Sequence, residues 1–354
     1  MDIERVRTYA EFTKLEPVWN DLLTKAAANS IFLTHEWASS WWNTYAGKRE
    51  LSILVLKDGE AVRAIAPLMI TDYSIFRRLG FIGSNRPDYC DFIVHGEHLA
   101  GYEALITYLF YDFTDWDEIM LENIPETSHL FTALNRFSSH FIVRKRESDL
   151  CPYLELGTQQ DDLLRNLRKK KSLKQNISKL TRAGNLTFRH YHNQDDMEES
   201  LGYLLRSYLE RFDSVNLDKR LLSERSFYLE LLRRMNPKGM IRFAVLELDG
   251  RPIAQHFGFS YNGVYYYVRP SFDRTYSEYS PGLVLLYYLI EYAAKNGYAE
   301  FDFLRGKETY KMRMADQSRR VMIVNLYRSF PKLLVCMAST KIKRLLQKSP
   351  FRQT

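Results

Sequence analysis

The stretch Tyr279-Ser280-Pro281-Gly282-Leu283 separates a tyrosine-rich segment, residues 263–269, from a long apolar segment, residues 281–295. The aromatic and β-branched residues of the first segment predict a strand, and the second predicts a helix that ends at an Asn-Gly pair. Ser280 fits the N-cap, Pro281 the first helical position, and Gly282 allows a ligand to approach the backbone. The free amides of a helix N-terminus favour an anion such as phosphate, although an ordinary capped helix would carry the same residues.

A second strand is predicted for Glu300-Phe301-Asp302-Phe303-Leu304, and a polar loop follows it. The run FDFLRGKETYK, residues 301–311, resembles the FDF-x-RG-x-x-x-YK signature of a branch of GNAT acyltransferases linked to cellulose and exopolysaccharide synthesis. The segments 250–255 and 272–276 also resemble that family, and the resemblance spans about residues 155–327. The chain departs from it at Met314, where family members usually carry Trp. It also has Ser-Pro-Gly in place of the Q/R-x-x-G-x-G/A loop of ordinary GNAT enzymes.

The resemblance implies that strands 263–269 and 299–304 splay apart and hold the pantetheine arm of acetyl-CoA or another acyl-CoA. The backbone of Tyr267, Val268 and Arg269 would then contact pantetheine and the thioester oxygen, and the stretch from Ser280 to Leu283 would hold the pyrophosphate. This set of cofactor-binding residues is Tyr267, Val268, Arg269, Ser280, Pro281, Gly282 and Leu283.

Four side chains are candidates for catalysis: Asp302, Arg305, Lys311 and His256. Asp302 points away from its two Phe neighbours, and burial would raise its pKa toward that of a useful base. Alternatively it is a structural acid paired with Arg305 or Lys311, whose charges could also grip a phosphate or an anionic acceptor. His256 lies in an otherwise apolar strand, where a histidine is more often a satisfied core residue than a catalytic one.

Composition limits the class of protein. A length of 354 residues suggests two domains, and 45% hydrophobic residues support compact cores. Three scattered cysteines without a CxxC pair argue against a disulfide framework or a zinc site, so no metal is expected. The same cysteine usage is typical of a protein in the reducing cytoplasm. Neither a signal peptide nor a run of about 20 apolar residues is present in the sequence.

The order β-α-α-β-β-β-α-β-α-β is predicted twice, and a hairpin turn of the Asp-Gly type occurs in each half, at Asp58 and Asp249. With the resemblance, this predicts an α/β (α+β) fold of two tandem duplicated GNAT-like domains, each a mixed, mostly antiparallel sheet flanked by helices. Residues 1–152 would form a degenerate domain, because His95-Gly96-Glu97-His98-Leu99 stands where the second half has Ser-Pro-Gly and makes a poor pyrophosphate site. Residues 153–330 would form the catalytic domain.

The net charge of +7 is concentrated in two segments. Residues 161–182 hold eight basic and two acidic side chains, and residues 328–354 hold seven basic and none acidic. The first predicts an amphipathic helix, either packed on the domain or in contact with a polyanion. The second predicts a basic amphipathic tail, residues 331–354, that packs back on the domain or lies on an anionic bilayer. Since the remainder is mildly acidic, a nucleic-acid partner is not expected.

These features favour an acyl-CoA-dependent N-acyltransferase that acts on an amine or hydroxyl of a small-molecule or sugar acceptor. We expect the protein to be cytoplasmic, with a peripheral membrane contact through the tail as a further expectation. The alternatives are a Fem-type transferase, which has the same duplicated fold and uses aminoacyl-tRNA, and a non-catalytic scaffold of a polysaccharide synthase. No Walker loop, GxSxG elbow, HExxH motif or dinucleotide fingerprint occurs in the sequence.

Overall fold

A computed structural model describes residues 1–73, 75–83, 86–137, 142–157, 160–210 and 217–328, together with Pro331 and Leu334. The predicted tail, residues 331–354, lies outside the described residues apart from those last two. The chain divides into two compact units, one of residues 1–149 with the residues from 320 onward, and one of residues 150–319.

The first unit contains the elements β1 (Asp2–Val6), α1 (Tyr9–Lys14), α2 (Glu16–Thr24), α3 (His35–Tyr45), β2 (Glu50–Leu51), β3 (Ile53–Asp58), β4 (Ala61–Ala66), β5 (Leu68–Tyr73), β6 (Phe76–Phe81), β7 (Ile93–Val94), α4 (Ala100–Thr107), β8 (Glu118–Pro125), α5 (Leu130–Asn135) and the beginning of β9 (Ile142–Glu155). One sheet has the order β1-β3-β4-β7, with all pairs antiparallel.

A second group of strands in this unit includes the hairpin β5–β6, and β6 pairs with β8 in parallel. Strand β6 is not evident from the sequence, since its two arginines and a glycine hide the apolar alternation. Gly80 allows the two backbones to approach, because a Cβ there would lie 2.9 Å from the carbonyl oxygen of Met120. Of the three tryptophans of α3, which their helical spacing predicts to be core residues, Trp37 and Trp41 are buried and Trp42 is half-buried.

The second unit contains the end of β9, α6 (Gln160–Lys169), α7 (Lys171–Ala183), β10 (Leu186–Tyr191), α8 (Gln194–Leu209), α9 (Leu217–Met235), β11 (Ile241–Leu248), β12 (Arg251–Tyr261), β13 (Val264–Phe272), α10 (Pro281–Lys295), β14 (Glu300–Asp302), α11 (Thr309–Met314) and the beginning of β15 (Gln317–Tyr327). Its strand order is β10-β11-β12-β13-β14-β9, and β13–β14 is a parallel pair among antiparallel ones.

Local chemistry explains these elements. The turn between β11 and β12 carries Asp249 and Gly250, both with positive φ, as the Asp-Gly signal predicts. Asn193 caps α8 through its side chain. Helix α10 is apolar almost all round and is buried against the sheet, where it forms the centre of a core with the strand residues Tyr265, Tyr267 and Phe301.

The basic segment 161–182 folds as two helices rather than one, because the backbone at Lys170 is extended. Leu164, Leu167, Leu173 and Leu180 are buried in the core of the second unit, so the apolar side of this segment packs on its own domain. The second unit ends at Arg319, since the later residues of β15 pair with β8 of the first. No helix in the described parts of the chain has the length and apolarity needed to cross a membrane.

Candidate functional site

The parallel strands β13 and β14 pair over only three residues, from Val264 with Glu300 to Tyr266 with Asp302. β13 continues for six more residues to Phe272 and remains paired with β12. Among the described residues, no strand pairs with the other edge of β13 beyond Tyr266. The second unit therefore presents a run of strand edge that an extended ligand can pair with.

The side chain of Arg269 anchors this run of β13 to the helices on one face. Its Nε donates to the hydroxyl of Tyr228 at 2.7 Å, and its guanidinium lies 4.2 Å from the centre of the Tyr208 ring. Burial opposes the charge, but the two tyrosines outweigh it and raise the pKa of Arg269, so the side chain stays cationic. Because α8 and α9 hold β13 in this way, the strand is supported where it leaves β14.

A β-bulge interrupts β13 just past its last pair with β14. The register with β12 shifts between Phe257 and Phe259, so that Tyr267 and Val268 together lie opposite Gly258. The amide of Val268 donates to Nε2 of His256 at 3.2 Å, across the bulge. The bulge thus coincides with the backbone positions predicted to contact the thioester.

His256 is fully buried, and its ring stacks on Tyr267 with centroids 4.8 Å apart. Burial lowers its pKa well below the ordinary value, and the nearby His190 acts in the same direction, so the ring is neutral. Its Nε2 accepts a hydrogen bond, and its Nδ1 has no partner among the residues described here. The hydrogen bond and the ring stacking of His256 therefore both involve residues of the bulge.

Gly258 makes room for this histidine. A Cβ at residue 258 would lie 2.2 Å from Cε1 of His256 and 2.5 Å from the carbonyl oxygen of Tyr266. The sequence analysis did not single out Gly258, although a glycine inside a strand is a recognised signal of a bulge or a close approach. The pair His256 and Gly258 is therefore a unit that shapes β13.

The turn before α10 lies next to the end of β13. Ser280 has a left-handed conformation (φ 48°, ψ 54°) and occupies the N-cap without a side-chain hydrogen bond. Its carbonyl oxygen accepts from the amides of Leu283 and Val284, and Pro281 has no amide to offer. The Gly282 amide has no acceptor in the described structure. The predicted anion site therefore presents fewer free amides than the sequence suggests.

Gly282 packs against β13. A Cβ there would lie 3.2 Å from Cδ1 of Phe272, the last residue of the strand. The unpaired edge of β13 thus leads from the bulge at Tyr267 and Val268 to the first turn of α10. The structure brings the predicted cofactor-binding residues together along one line of backbone.

Asp302, Arg305 and Lys311 lie around the loop that follows β14. Asp302 is fully buried, and its Oδ1 accepts from the amide of Leu304 at 2.7 Å. Lys311 is 7% exposed, and its Nζ donates to the carbonyl oxygen of Arg305 at 2.7 Å and lies 3.1 Å from Oε2 of Glu308. These contacts of Asp302 and Lys311 lie within the loop itself.

A polar cavity of about 490 Å³ lies elsewhere in the second unit, between α8, β10 and the hairpin β11–β12. Gln255 lines it with its side chain 2% exposed, and the Oε1 of Gln255 has no hydrogen-bond partner in the described residues. The ion pairs Arg189–Glu247 and Arg251–Asp273 form part of the wall. This cavity suits a ligand with hydrogen-bond donors, and the family-like segments 250–255 and 272–276 supply part of its lining.

Comparison with known family models gives one match. Residues 167–312, which lie within the second unit, match the model of a family described as an acetyltransferase (GNAT) domain. A comparison with curated protein sequences finds no match.

Several solved structures share the fold over nearly the whole chain. The crystal structure of FemX has 9% sequence identity and a TM-score of 0.64, with 92% of this chain and 97% of that chain covered. The C-terminal domain of a putative lysylphosphatidylglycerol synthetase from Agrobacterium fabrum has 12% identity and a TM-score of 0.56, with 94% and 96% covered. A tandem GNAT protein from the clavulanic acid biosynthesis pathway has 14% identity and a TM-score of 0.51, with 91% and 98% covered. The predicted fold class, tandem GNAT-like domains of mixed α/β structure, is confirmed.

Proposed function

We propose that the second unit transfers an acyl group from acetyl-CoA or another acyl-CoA to an amine, or a hydroxyl, of a small-molecule or carbohydrate acceptor. The observation that carries this proposal is the unpaired edge of β13, which begins at the bulge and ends beside Gly282 at the start of α10. An extended pantetheine arm can pair with such an edge while the pyrophosphate meets the positive end of the helix dipole.

The bulge determines which backbone groups remain for the thioester oxygen. In this conformation the amide of Val268 already donates to His256. The amides of Tyr267 and Arg269 are therefore the candidates for stabilising the developing oxyanion, a role that needs no side chain. His256 would act indirectly, by holding the bulge that sets their direction.

The proton of the attacking amine needs a route, and Asp302 is not well placed to provide it. Its Oδ1 is engaged with the Leu304 amide and its side chain is fully buried. We therefore propose that acyl transfer depends chiefly on positioning and backbone hydrogen bonds. The amine nitrogen bonds to the thioester carbon, the carbon–sulfur bond breaks, and the departing thiolate of CoA takes up the amine proton. Asp302, Arg305 and Lys311 would contribute by fixing the loop beside β14.

The polar cavity beside Gln255 supports a hydroxyl- or amine-bearing acceptor. Gln255 pairs with Ser271, three residues along β13 from Val268, which is about 10 Å at the rise of a strand. An acceptor held there must be extended to reach the bulge, and this favours a carbohydrate over a very small amine. A role in exopolysaccharide or cell-envelope synthesis, as the FDF-x-RG-x-x-x-YK resemblance implies, is part of this proposal.

Titration calorimetry with acetyl-CoA, a medium-chain acyl-CoA and a long-chain acyl-CoA tests the donor. We expect one binding event for the second unit with at least one of these donors, and little binding of free pantetheine because the pyrophosphate contact is missing. Absence of heat and of a thermal shift with all three donors would exclude acyl-CoA as the co-substrate.

A second candidate function is transfer from aminoacyl-tRNA. It is favoured by the fold similarity to FemX and to the putative lysylphosphatidylglycerol synthetase, since Fem-type transferases use that donor. The exposed side chains Arg165, Lys169, Lys171, Lys174 and Lys179 on α6 and α7 offer a basic surface for it. Binding of charged tRNA in filter assays, without binding of any acyl-CoA, would favour this candidate over the first.

A further inference from the structure

The first unit carries a cluster of possible metal ligands at the turn that leads from β7 to α4. One nitrogen of His95, one carboxylate oxygen of Glu97 and one nitrogen of His98 all lie within 4.8 Å of one another. Both histidines are half-buried and Glu97 is exposed, so the cluster is open to solvent. No other function considered for this chain uses these residues.

The backbone that presents the three side chains is fixed by neighbouring segments. The amide of His95 donates to the carbonyl oxygen of Arg63 at 3.1 Å, and the amide of Gly96 donates to that of Lys25 at 2.8 Å. The amide of His98 closes the turn on the carbonyl oxygen of His95 at 2.8 Å. The ligand atoms therefore converge from a short turn that is anchored on both sides, so that little chain ordering is needed on binding.

The ligand set indicates the kind of ion. Two imidazoles and one carboxylate suit Zn²⁺ and similar transition metals, whereas Mg²⁺ and Ca²⁺ prefer oxygen ligands alone. Zinc holds such ligands at about 2.0–2.2 Å, so the side chains must close by roughly an ångström around the ion. The amide of Glu97 contacts Nδ1 of His95 at 3.3 Å, a long hydrogen bond that a metal bound at this nitrogen would replace.

We propose that His95, Glu97 and His98 bind a divalent transition metal, with Zn²⁺ as the best match. Three protein ligands leave a coordination position for water or for a group from another molecule. The turn precedes α4 as the Ser280–Leu283 turn precedes α10, so the two units carry opposite preferences at corresponding places. The turn of the first unit binds a cation through its side chains, and the turn of the second unit presents a helix N-terminus to an anion.

Calorimetry of the full chain, freed of metal with EDTA and titrated with ZnCl₂ at pH 7.5, tests this proposal. We expect binding of one equivalent of Zn²⁺. The variants His98→Ala and Glu97→Gln should each lower the affinity by at least about 10–100-fold, the range seen even for outer-shell partners of metal sites. The exposed His192 of the second unit provides the control, and His192→Ala should bind zinc as the wild type does.

Thermal unfolding without metal separates loss of the site from loss of the fold, because the variants should then melt with the wild type. Added Zn²⁺ should raise the melting temperature of the wild type and of His192→Ala but not of His98→Ala. Absence of binding to the wild type would overturn the proposal, and so would binding that His98→Ala and Glu97→Gln leave unchanged.

Discussion

Replacing Gly282 by aspartate tests the proposed pyrophosphate site most directly. The residue lies in the first turn of α10, where its amide has no acceptor within the described chain. A new Cβ would lie 3.2 Å from Cδ1 of Phe272, so that the ring must shift by a few tenths of an ångström. An acidic side chain near a helix N-terminus is itself favourable by about 0.3–1 kcal/mol, so we expect the variant to fold.

The effect on binding follows from charge. A carboxylate about 5 Å from a phosphate charge, at an effective dielectric constant of about 20, is repelled by about 3 kcal/mol. This corresponds to a loss of affinity of roughly 10²-fold, which salt in the buffer will reduce. The matched variant Gly282→Ala adds the same Cβ without the charge. The affinity of this variant should fall only by what the displacement of the Phe272 ring costs, which we expect to be less than about tenfold. Alanine is favoured over glycine in helices by up to about 1 kcal/mol, so this variant should also fold.

Calorimetry with an acyl-CoA and with the corresponding acyl-pantetheine separates the two contributions. Gly282→Asp should weaken the CoA ligand strongly and leave acyl-pantetheine nearly unchanged, because only the former carries the pyrophosphate. A carboxylate added at Gly202, an open position within α8, controls for a general change in charge. Equal losses for both ligands, or no loss for either, would refute the assignment of this turn to the pyrophosphate.

Three further predictions follow from the buried groups. Asp302→Asn should keep turnover within about tenfold of the wild type, because the amide oxygen of asparagine can still accept from the Leu304 amide. If Asp302 were a general base, the same substitution would lower turnover by about 10²–10⁴-fold. Asp302→Ala should lower the free energy of unfolding by about 1–3 kcal/mol. Gly258→Ala should destabilise the second unit by about 1–3 kcal/mol or more, because the new Cβ meets the backbone of Tyr266. It should also abolish donor binding. Thermal melts measure the first loss, and calorimetry measures the second. Burial raises the pKa of Asp91 to about 7, above its value in the unfolded chain. The free energy of unfolding should therefore fall by up to about 4 kcal/mol as the pH rises from about 4 to about 7. Urea unfolding should show a flatter dependence of this free energy on pH for Asp91→Asn than for the wild type.

The fold was largely predictable from the sequence because its signals are local. The Asp-Gly turns fixed two hairpins, and the apolar run after Pro281 gave α10 with its correct ends. Strand β6 was missed because it pairs with β8 far along the chain, and its own residues show no clear alternation. The break between α6 and α7 was missed because a change in the backbone at Lys170 leaves no mark on amphipathic periodicity.

The candidate site was less predictable, because its geometry depends on contacts between distant residues. From the sequence alone, β13 and the turn before α10 are predicted to contact the donor, and His256 is a separate candidate for catalysis. The hydrogen bond from Val268 to His256 requires the register shift between β12 and β13, and no local pattern reveals a register. The tyrosines that hold Arg269 come from α8 and α9, and only the tertiary fold brings them to this strand.

The proposed site is therefore formed by backbone groups, and the side chains whose chemistry suggests catalysis belong to other residues. A buried aspartate, a buried histidine and a buried lysine attract attention, yet each of them is engaged in stabilising a loop or a bulge through a backbone group. If the thioester is held and polarised by backbone amides, polar side chains are needed to hold the strand that carries those amides against its regular pairing. Substitution of His256 should accordingly act through the shape of β13, changing donor affinity and turnover together, and should leave the pH dependence of turnover as it is in the wild type.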